Sequence, residues 1–294
     1  MIIIRMEGGL GNQMFAYALY LKLKSLGKEV KIDDVTEYYR ASDRPHMLWT
    51  FGLDYPRASK NDICTLTDGF MSFPNRVRRK IFGRKSLEYH ESSLNFDEKV
   101  INSDPAYLTG YFQSYRYFKD ISDLVRSEFT FIDKVKKDPF IESYLQKISS
   151  YGKNAVSIHI RRGDYLDNEA AFGNICTENY YQSAMKLILE KRPEAHFFVF
   201  SNDEPWAKEW ASSKGNISVI QGIPEEKGYL AMFLMSRCGS HILANSSFSW
   251  WAQFLNDASS KLVVSPSPWF GDRDCHELYM DSFMKVSPEG TLLL

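Results

Sequence analysis

Apolar residues in this chain fall into short compact runs and longer stretches at helical spacing, and the two kinds alternate. Ile2 to Met6 is a compact run of strand-forming residues. The segment Glu7-Gly8-Gly9-Leu10-Gly11-Asn12-Gln13 reads as a tight turn, and Phe15, Leu19, Leu23 and Leu26 then mark one face of a helix over Met14 to Leu26. Gly27 stops that helix and Lys28 to Asp33 returns as a strand, a βαβ unit that predicts a parallel sheet. Residues 36–120 mix aromatic clusters with polar loops and predict no topology.

From Ala155 the rhythm is regular. Strands are expected at Ala155 to Ile160, His196 to Phe200, Ile217 to Ile220 and His241 to Ala244, with Leu262 to Val264 as the last. Helices are expected between them: Thr177 to Lys191, Pro205 to Ser213, Glu225 to Cys238 and Ser247 to Leu255. This alternation predicts a doubly wound α/β domain. The polar, weakly periodic Ser149 to Asn154 places the boundary between a domain of residues 1–150 and a domain of residues 151–294.

Charge adds little: 36 Lys+Arg stand against 37 Asp+Glu among 294 residues, so no overall field calls for nucleic acid or an anionic membrane. The local exception is Arg76-Val77-Arg78-Arg79-Lys80, extended by Arg84 and Lys85. It reads as a solvated loop or, less commonly, a patch touching a membrane or an anionic acceptor. The cysteines at 64, 176, 238 and 275 form no Cys-x-x-Cys pair, which argues against a disulfide scaffold or structural zinc and for a reducing compartment. Nothing resembles a signal peptide or a membrane span. A cytoplasmic location with at most peripheral membrane contact is expected.

Four segments could carry chemistry. The glycine turn aims backbone N–H groups and a helix dipole at whatever lies above the sheet. It fits a plain βα turn, an anion or sugar site, or a nicotinamide dinucleotide turn using Gly9, Gly11 and Asp33, although Met14 stands where that motif needs a third glycine. The second is His159-Ile160-Arg161-Arg162-Gly163-Asp164-Tyr165, at the carboxyl end of a strand. Alternation puts His159 and Arg161 on one face, where the guanidinium fork could grip a diphosphate. Arg162, on the other face, would pair with Asp164 or another carboxylate, and a salt-bridged strand end is the plain alternative. Third, Ser246 or Ser247 in Asn245-Ser246-Ser247-Phe248-Ser249-Trp250-Trp251 could cap a helix or hold a phosphate, with both tryptophans in the core. Fourth, Asp203 in Ser201-Asn202-Asp203-Glu204 could accept from guanine N1–H and its exocyclic amine together, or simply cap the helix before Pro205. Asp272-Arg273-Asp274 has the form of a metal-binding Asp-x-Asp pair, but no strand delivers it to a nucleotide and it is expected in a surface loop.

In order and spacing these four segments, with Gly110-Tyr111-Phe112-Gln113-Ser114, resemble the α-1,2-fucosyltransferases of glycosyltransferase family 11 over nearly the whole chain. Related arginine motifs occur in α-1,6- and protein O-fucosyltransferases. The resemblance implies a GT-B-type fold of two facing Rossmann-like domains with parallel sheets, the acceptor mainly on the first and the donor on the second. It implies inverting transfer of L-fucose from GDP-fucose to the 2-hydroxyl of a terminal galactose in an oligosaccharide or glycolipid precursor, without metal or cofactor. On this analogy Arg161 contacts the β-phosphate beside Ser246, Ser247 and Phe248. Asp203, with Asn202 next to it, reads guanine, and His159 lines the nucleotide-fucose pocket. Asn12, beside Gly11, approaches the leaving phosphate or the sugar from the first domain. Asp164 is the candidate general base by position, and Glu7 has no assigned role. A nicotinamide oxidoreductase and a nucleotide-sugar-binding protein without turnover remain as alternatives.

Overall fold

The computed structural model describes residues 1–36, 45–162 and 171–293. Tertiary contacts divide the chain into two compact units, Met1–Glu128 and Phe129–Leu294. The division falls earlier than the sequence boundary because residues 129–154 pack on the second unit. Phe131 meets Phe233 edge to face, and Tyr151 stacks on His196 with ring centroids 4.3 Å apart.

The first unit holds a four-stranded parallel sheet of β1 (Ile2–Arg5), β2 (Val30–Asp33), β3 (Glu88–His90) and β4 (Ala106–Thr109), in the order β2-β1-β4-β3. Ile2, Ile3 and Ile4 are all completely buried, the run of a strand covered on both faces. The first helix starts at Leu10, not Met14, so Gly11, Asn12 and Gln13 lie on its first turn and Gly9 is its N-cap. Gly8 sits at φ +72, and a β-carbon there would lie 2.6 Å from Asn12 Nδ2, so only glycine fits this turn. Buried Gln13 stitches the turn down. Its amide donates to the carbonyls of Gly8 and Pro45, each at 3.0 Å, and its oxygen accepts from the Met47 N–H at 2.8 Å.

β3 and β4 lie in the segment that predicted no topology, and their brevity explains why. β3 is Glu-Tyr-His, with no apolar run to announce it. Beyond β4, Gly110 lets the chain pass against Glu91: a β-carbon at 110 would fall 2.4 Å from Glu91 Cβ. The Glu91 carboxylate accepts the N–H groups of Tyr111 (2.7 Å) and Phe112 (2.9 Å) and so holds the strand exit.

The second unit holds a seven-stranded sheet of β5 (Ala155–Ile160), β6 (His196–Ser201), β7 (Ile217–Val219), β8 (Ser240–Ile242), β9 (Val263–Pro266), β10 (Phe283–Val286) and β11 (Leu292–Leu293). The order is β11-β10-β9-β8-β5-β6-β7, parallel except for the antiparallel edge strand β11. Numbered from β5, the six parallel strands run 3-2-1-4-5-6, the doubly wound dinucleotide-fold order. Ile158, Tyr180, Ile188, Phe197 and Val199 are among the completely buried side chains of its core. Thr177 caps the Glu178–Lys191 helix through the Tyr180 N–H at 3.2 Å, and Ser247–Leu255 forms the helix expected there.

Two expectations are corrected here. Leu262 to Val264 is not the last strand: β10 follows a loop after β9, and β11 is an exposed two-residue edge without a core pattern. The helix expected over Glu225 to Cys238 breaks at Gly228 into a short 3-10 turn, Glu225–Lys227, and a helix over Tyr229–Ser236.

Glu91 yields a pH test. Burial lifts its carboxyl from the ordinary 4.5 to about 7, with the charge of Glu7 adding to the rise and the two backbone N–H groups opposing it. The native protein therefore holds a proton that the unfolded chain releases, and stability contributed by this site falls as pH climbs from 4.5 to about 7. Urea midpoints at about pH 5 and about pH 8 should show that fall in the wild type and a flatter response in Glu91→Gln. An identical pH response in the variant would exclude this origin.

Candidate active site

In a 3-2-1-4-5-6 sheet the crossovers leave strands 1 and 4 in opposite directions, which opens a crevice beyond their carboxyl ends. Here those strands are β5 and β8. β5 delivers His159, Arg161 and Arg162, and β8 delivers Asn245 to Phe248. β6, beside β5, delivers Asn202 and Asp203, because Ile160 pairs with Ser201 at the end of the ladder. Residues separated widely in sequence thus share one end of one sheet.

The two arginines have different surroundings. The Arg162 N–H donates to Asn202 Oδ1 at 2.8 Å, and Asn202 Nδ2 donates back to the Arg162 carbonyl at 3.1 Å. Arg162 Nε donates to Asp203 Oδ2 at 3.1 Å, and its guanidinium lies over the Trp206 ring, 4.3 Å from the centroid. Asp203 Oδ1 accepts from the Trp206 N–H at 3.2 Å and caps the Glu204–Ala211 helix. Asp203 is thus both cap and ion-pair partner, the other carboxylate that the sequence left unnamed beside Asp164. Arg161 is half-exposed, and its charge lies near enough to His159 to disfavour the protonated ring.

His159 is not an ordinary core histidine. It is 6% exposed, and its Nδ1 is buried with no hydrogen-bond partner among the described residues. Burial, with the nearby Arg161 charge, pushes its pKa down to about 3, so the ring is neutral across the physiological range. His241 one strand away shows the structural contrast. It is also buried, but its Nδ1 meets Ser157 Oγ and its Nε2 meets Asn256 Nδ2, both at 2.8 Å.

On the β8 side the chain enters the Ser247–Leu255 helix with its caps in place. Ser246 Oγ accepts from the Phe248 N–H at 3.3 Å, and Ser249 Oγ donates to the carbonyls of Ala244 and Ser246, each at 3.2 Å. Phe248 is half-exposed and its ring centroid is 5.6 Å from that of His159, which ties the two strand exits into one site. Asn245 is anchored behind them: Nδ2 donates to the Phe172 carbonyl at 3.3 Å, and Cys176 Sγ donates to Oδ1 at 3.4 Å. Trp250 and Trp251 are completely buried and fix the helix. A neutral imidazole, a half-exposed guanidinium and a serine-rich helix start can together bind an anion, with an aromatic ring alongside.

In the first unit the carboxyl ends of β1 and β4 are likewise adjacent. Gln113 Nε2 donates to Asn12 Oδ1 at 2.7 Å, so the glycine turn and the Gly110–Ser114 segment meet at Asn12. The dinucleotide alternative loses its ribose ligand here. The Asp33 carboxylate is buried and accepts from Tyr107 Oη (2.7 Å), Thr36 Oγ1 (2.6 Å) and the N–H groups of Val35 and Thr36.

Asp164 lies outside the described residues. Asp272 and Asp274 are exposed in the loop after β9, engaged by Arg273 (2.7 Å) and His276 (2.8 Å) respectively. Among the described residues no group of three or more His, Cys, Asp or Glu could hold a metal ion. Sequence reasoning missed Trp206, which orients Arg162, and Glu91, whose isolated position in a polar stretch carries no motif.

Comparison with known proteins agrees with this arrangement. Residues 85–274 match the profile of Glycosyl transferase family 11. An Escherichia coli alpha-1,2-colitosyltransferase is 30% identical over 92% of this chain and 92% of its own length. A galactoside alpha-(1,2)-fucosyltransferase 1 of Saimiri boliviensis boliviensis is 26% identical over 50% of this chain and 42% of its own. In fold, the chain matches a mutant of Arabidopsis thaliana FUT1 in complex with GDP, at a TM-score of 0.51 and 14% identity, covering 91% of this chain and 71% of that one. With His159–Arg162, Asn202–Asp203 and Asn245–Trp251 all inside the matched segment, the chain belongs to glycosyl transferase family 11 and is a glycosyltransferase of the α-1,2-fucosyltransferase type.

Proposed function

We propose that the protein transfers L-fucose from GDP-fucose to the 2-hydroxyl of a terminal galactose, inverting the anomeric carbon and using no metal. The observation that carries this reading is the set of groups gathered at the end of β5: Asp203, Asn202 and Trp206 engage Arg162, and beside the half-exposed Arg161 stands a neutral His159, its Nδ1 without a hydrogen-bond partner among the described residues and its ring against Phe248 at the helix start. The acceptor linkage is supported by the names of two relatives, both α-1,2-transferases, one of them a galactoside enzyme. A colitosyl donor is the second reading, favoured by the relative that is 30% identical. Four unpaired cysteines accord with a cytoplasmic site of action.

The demanding step breaks the bond between C1 of the sugar and the diphosphate. Positive charge develops on the ring and negative charge on the β-phosphate, so donors fixed toward that phosphate lower the barrier. Arg161 supplies a planar pair of donors, and Ser246, Ser247 and the amide groups opening the helix supply neutral ones. Neutral His159 can hydrogen-bond the donor substrate without competing for a proton. Asn12 and Gly11 in the first unit are assigned to the sugar or the leaving phosphate, and Asp164 to general-base assistance at the acceptor hydroxyl.

Incubation with GDP-fucose, a colitosyl donor or neither, with lactose as acceptor, should release GDP fastest with GDP-fucose and without inhibition by EDTA. Release that requires a divalent ion, or only the colitosyl donor, would overturn the corresponding element. Arg161→Ala should lower kcat by about 10²–10³-fold without loss of thermal stability. Arg161→Lys should lose most activity as well, since an ammonium cannot reproduce the bidentate fork; near wild-type turnover would exclude that role. Asp203→Asn keeps a capping side chain, so it should stay folded yet lose the preference for GDP over inosine diphosphate in a binding titration. An unchanged preference would confine Asp203 to its cap and ion pair.

A further inference from the structure

The basic run expected as a loop is instead a helix, Phe73–Phe82, and it is inverted. A surface helix ordinarily buries its apolar stripe and shows its polar face to water. Here none of its residues is buried: Phe73 is 77% exposed, Val77 39% and Ile81 65%, and these three positions line one stripe at spacings of four. Phe82 (71%) and Met71 (73%), just before the helix, add to the exposed apolar surface.

The opposite face is polar and fastened to the protein. Arg78 pairs with Asp68, and Arg79 donates to the carbonyl of Asp68 at 2.9 Å and to that of Phe70. Asn75 Nδ2 donates to Ser72 Oγ at 2.8 Å. Arg84 donates twice to the Thr67 carbonyl, at 3.0 and 2.7 Å. Guanidinium bonds thus fix the helix with its phenylalanines outward. Four large exposed apolar side chains on ten residues far exceed the scattered singles of an ordinary surface.

Charge specifies what covers them. Between Asp68 and Glu88 the chain carries Arg76, Arg78, Arg79, Lys80, Arg84 and Lys85 and no carboxylate. Arg76 and Lys80 are exposed and follow Phe73 and precede Ile81 on the edge of the apolar stripe. A ridge of Phe, Val and Ile bordered by cations is the chemistry of an interfacial helix, whose side chains enter the acyl boundary while its cations meet anionic headgroups. Among the described residues no helix is long and apolar enough to cross a membrane, so this contact is peripheral. We infer that the Phe73–Phe82 helix docks the protein on an anionic phospholipid bilayer.

The test is sedimentation of the full chain with vesicles of phosphatidylglycerol and phosphatidylethanolamine, against vesicles of phosphatidylcholine alone. The protein should pellet with the anionic vesicles, at least about ten-fold less with the neutral ones, and less as salt is raised. A Phe73→Ser/Ile81→Ser variant and an Arg76→Glu/Lys80→Glu variant should each lose about ten-fold or more in partitioning, while melting temperature and turnover of a soluble acceptor stay as in the wild type. The inference is overturned if the wild type stays in the supernatant, or if partitioning survives both variants. It is equally overturned if the wild type is a dimer that the serine variant dissociates while anionic vesicles bind neither, which would make a second copy the occupant.

Discussion

The parallel pairing of β5 with both β6 and β8 is the constraint on which the second unit depends. A strand flanked on both sides by parallel partners must be a continuous apolar run, and all six residues of β5 are buried. Its neighbours' crossovers then diverge, so the one place where polar groups can collect without disturbing the core is the carboxyl end. Ser157 and His159 share one face of β5 yet differ in their partners. Ser157 bonds inward to His241, while His159 has no partner for Nδ1 among the described residues.

The same constraint explains how adjacent arginines can do opposite work. Successive side chains leave an extended segment on opposite faces. β6 lies beside β5 in the sheet, and Asn202 and Asp203 at its exit engage Arg162. Arg162 is engaged in architecture: it cross-links two strand exits by backbone, carboxylate and ring contacts.

Legibility in the sequence followed local strength of pattern. The second unit was read nearly element by element because its strands are strongly apolar and its helices carry start signals such as the caps Thr177 and Ser246 and the first-turn Pro205. The order of its strands was not legible, since nothing in a linear pattern states that β8 returns to pair with β5. In the first unit β3 and β4 escaped notice because three- and four-residue strands do not establish a period. The helix start at Leu10 was misread as turn because Gly11, Asn12 and Gln13 look like loop residues; buried Gln13 saturates its amide on Gly8, Pro45 and Met47, partners invisible in local sequence. The basic run misled in the opposite sense. Its charges suggested solvent throughout, but Arg78 and Arg79 turn to the protein and hold the apolar residues out, while Arg76 and Lys80 stay exposed.

Two places where the fold tolerates cost lie at strand exits. A buried nitrogen with no partner, as at His159, and a carboxyl half-buried until its pKa nears 7, as at Glu91, both subtract from stability. Neither can be ascribed to poor packing, because each is set among well-satisfied neighbours: His241 beside the first, Gln13 in the unit of the second. Cores shed such groups readily by substitution to an apolar residue of similar size. Both stand at the carboxyl ends of strands, β5 and β3, where open α/β sheets leave room for ligands.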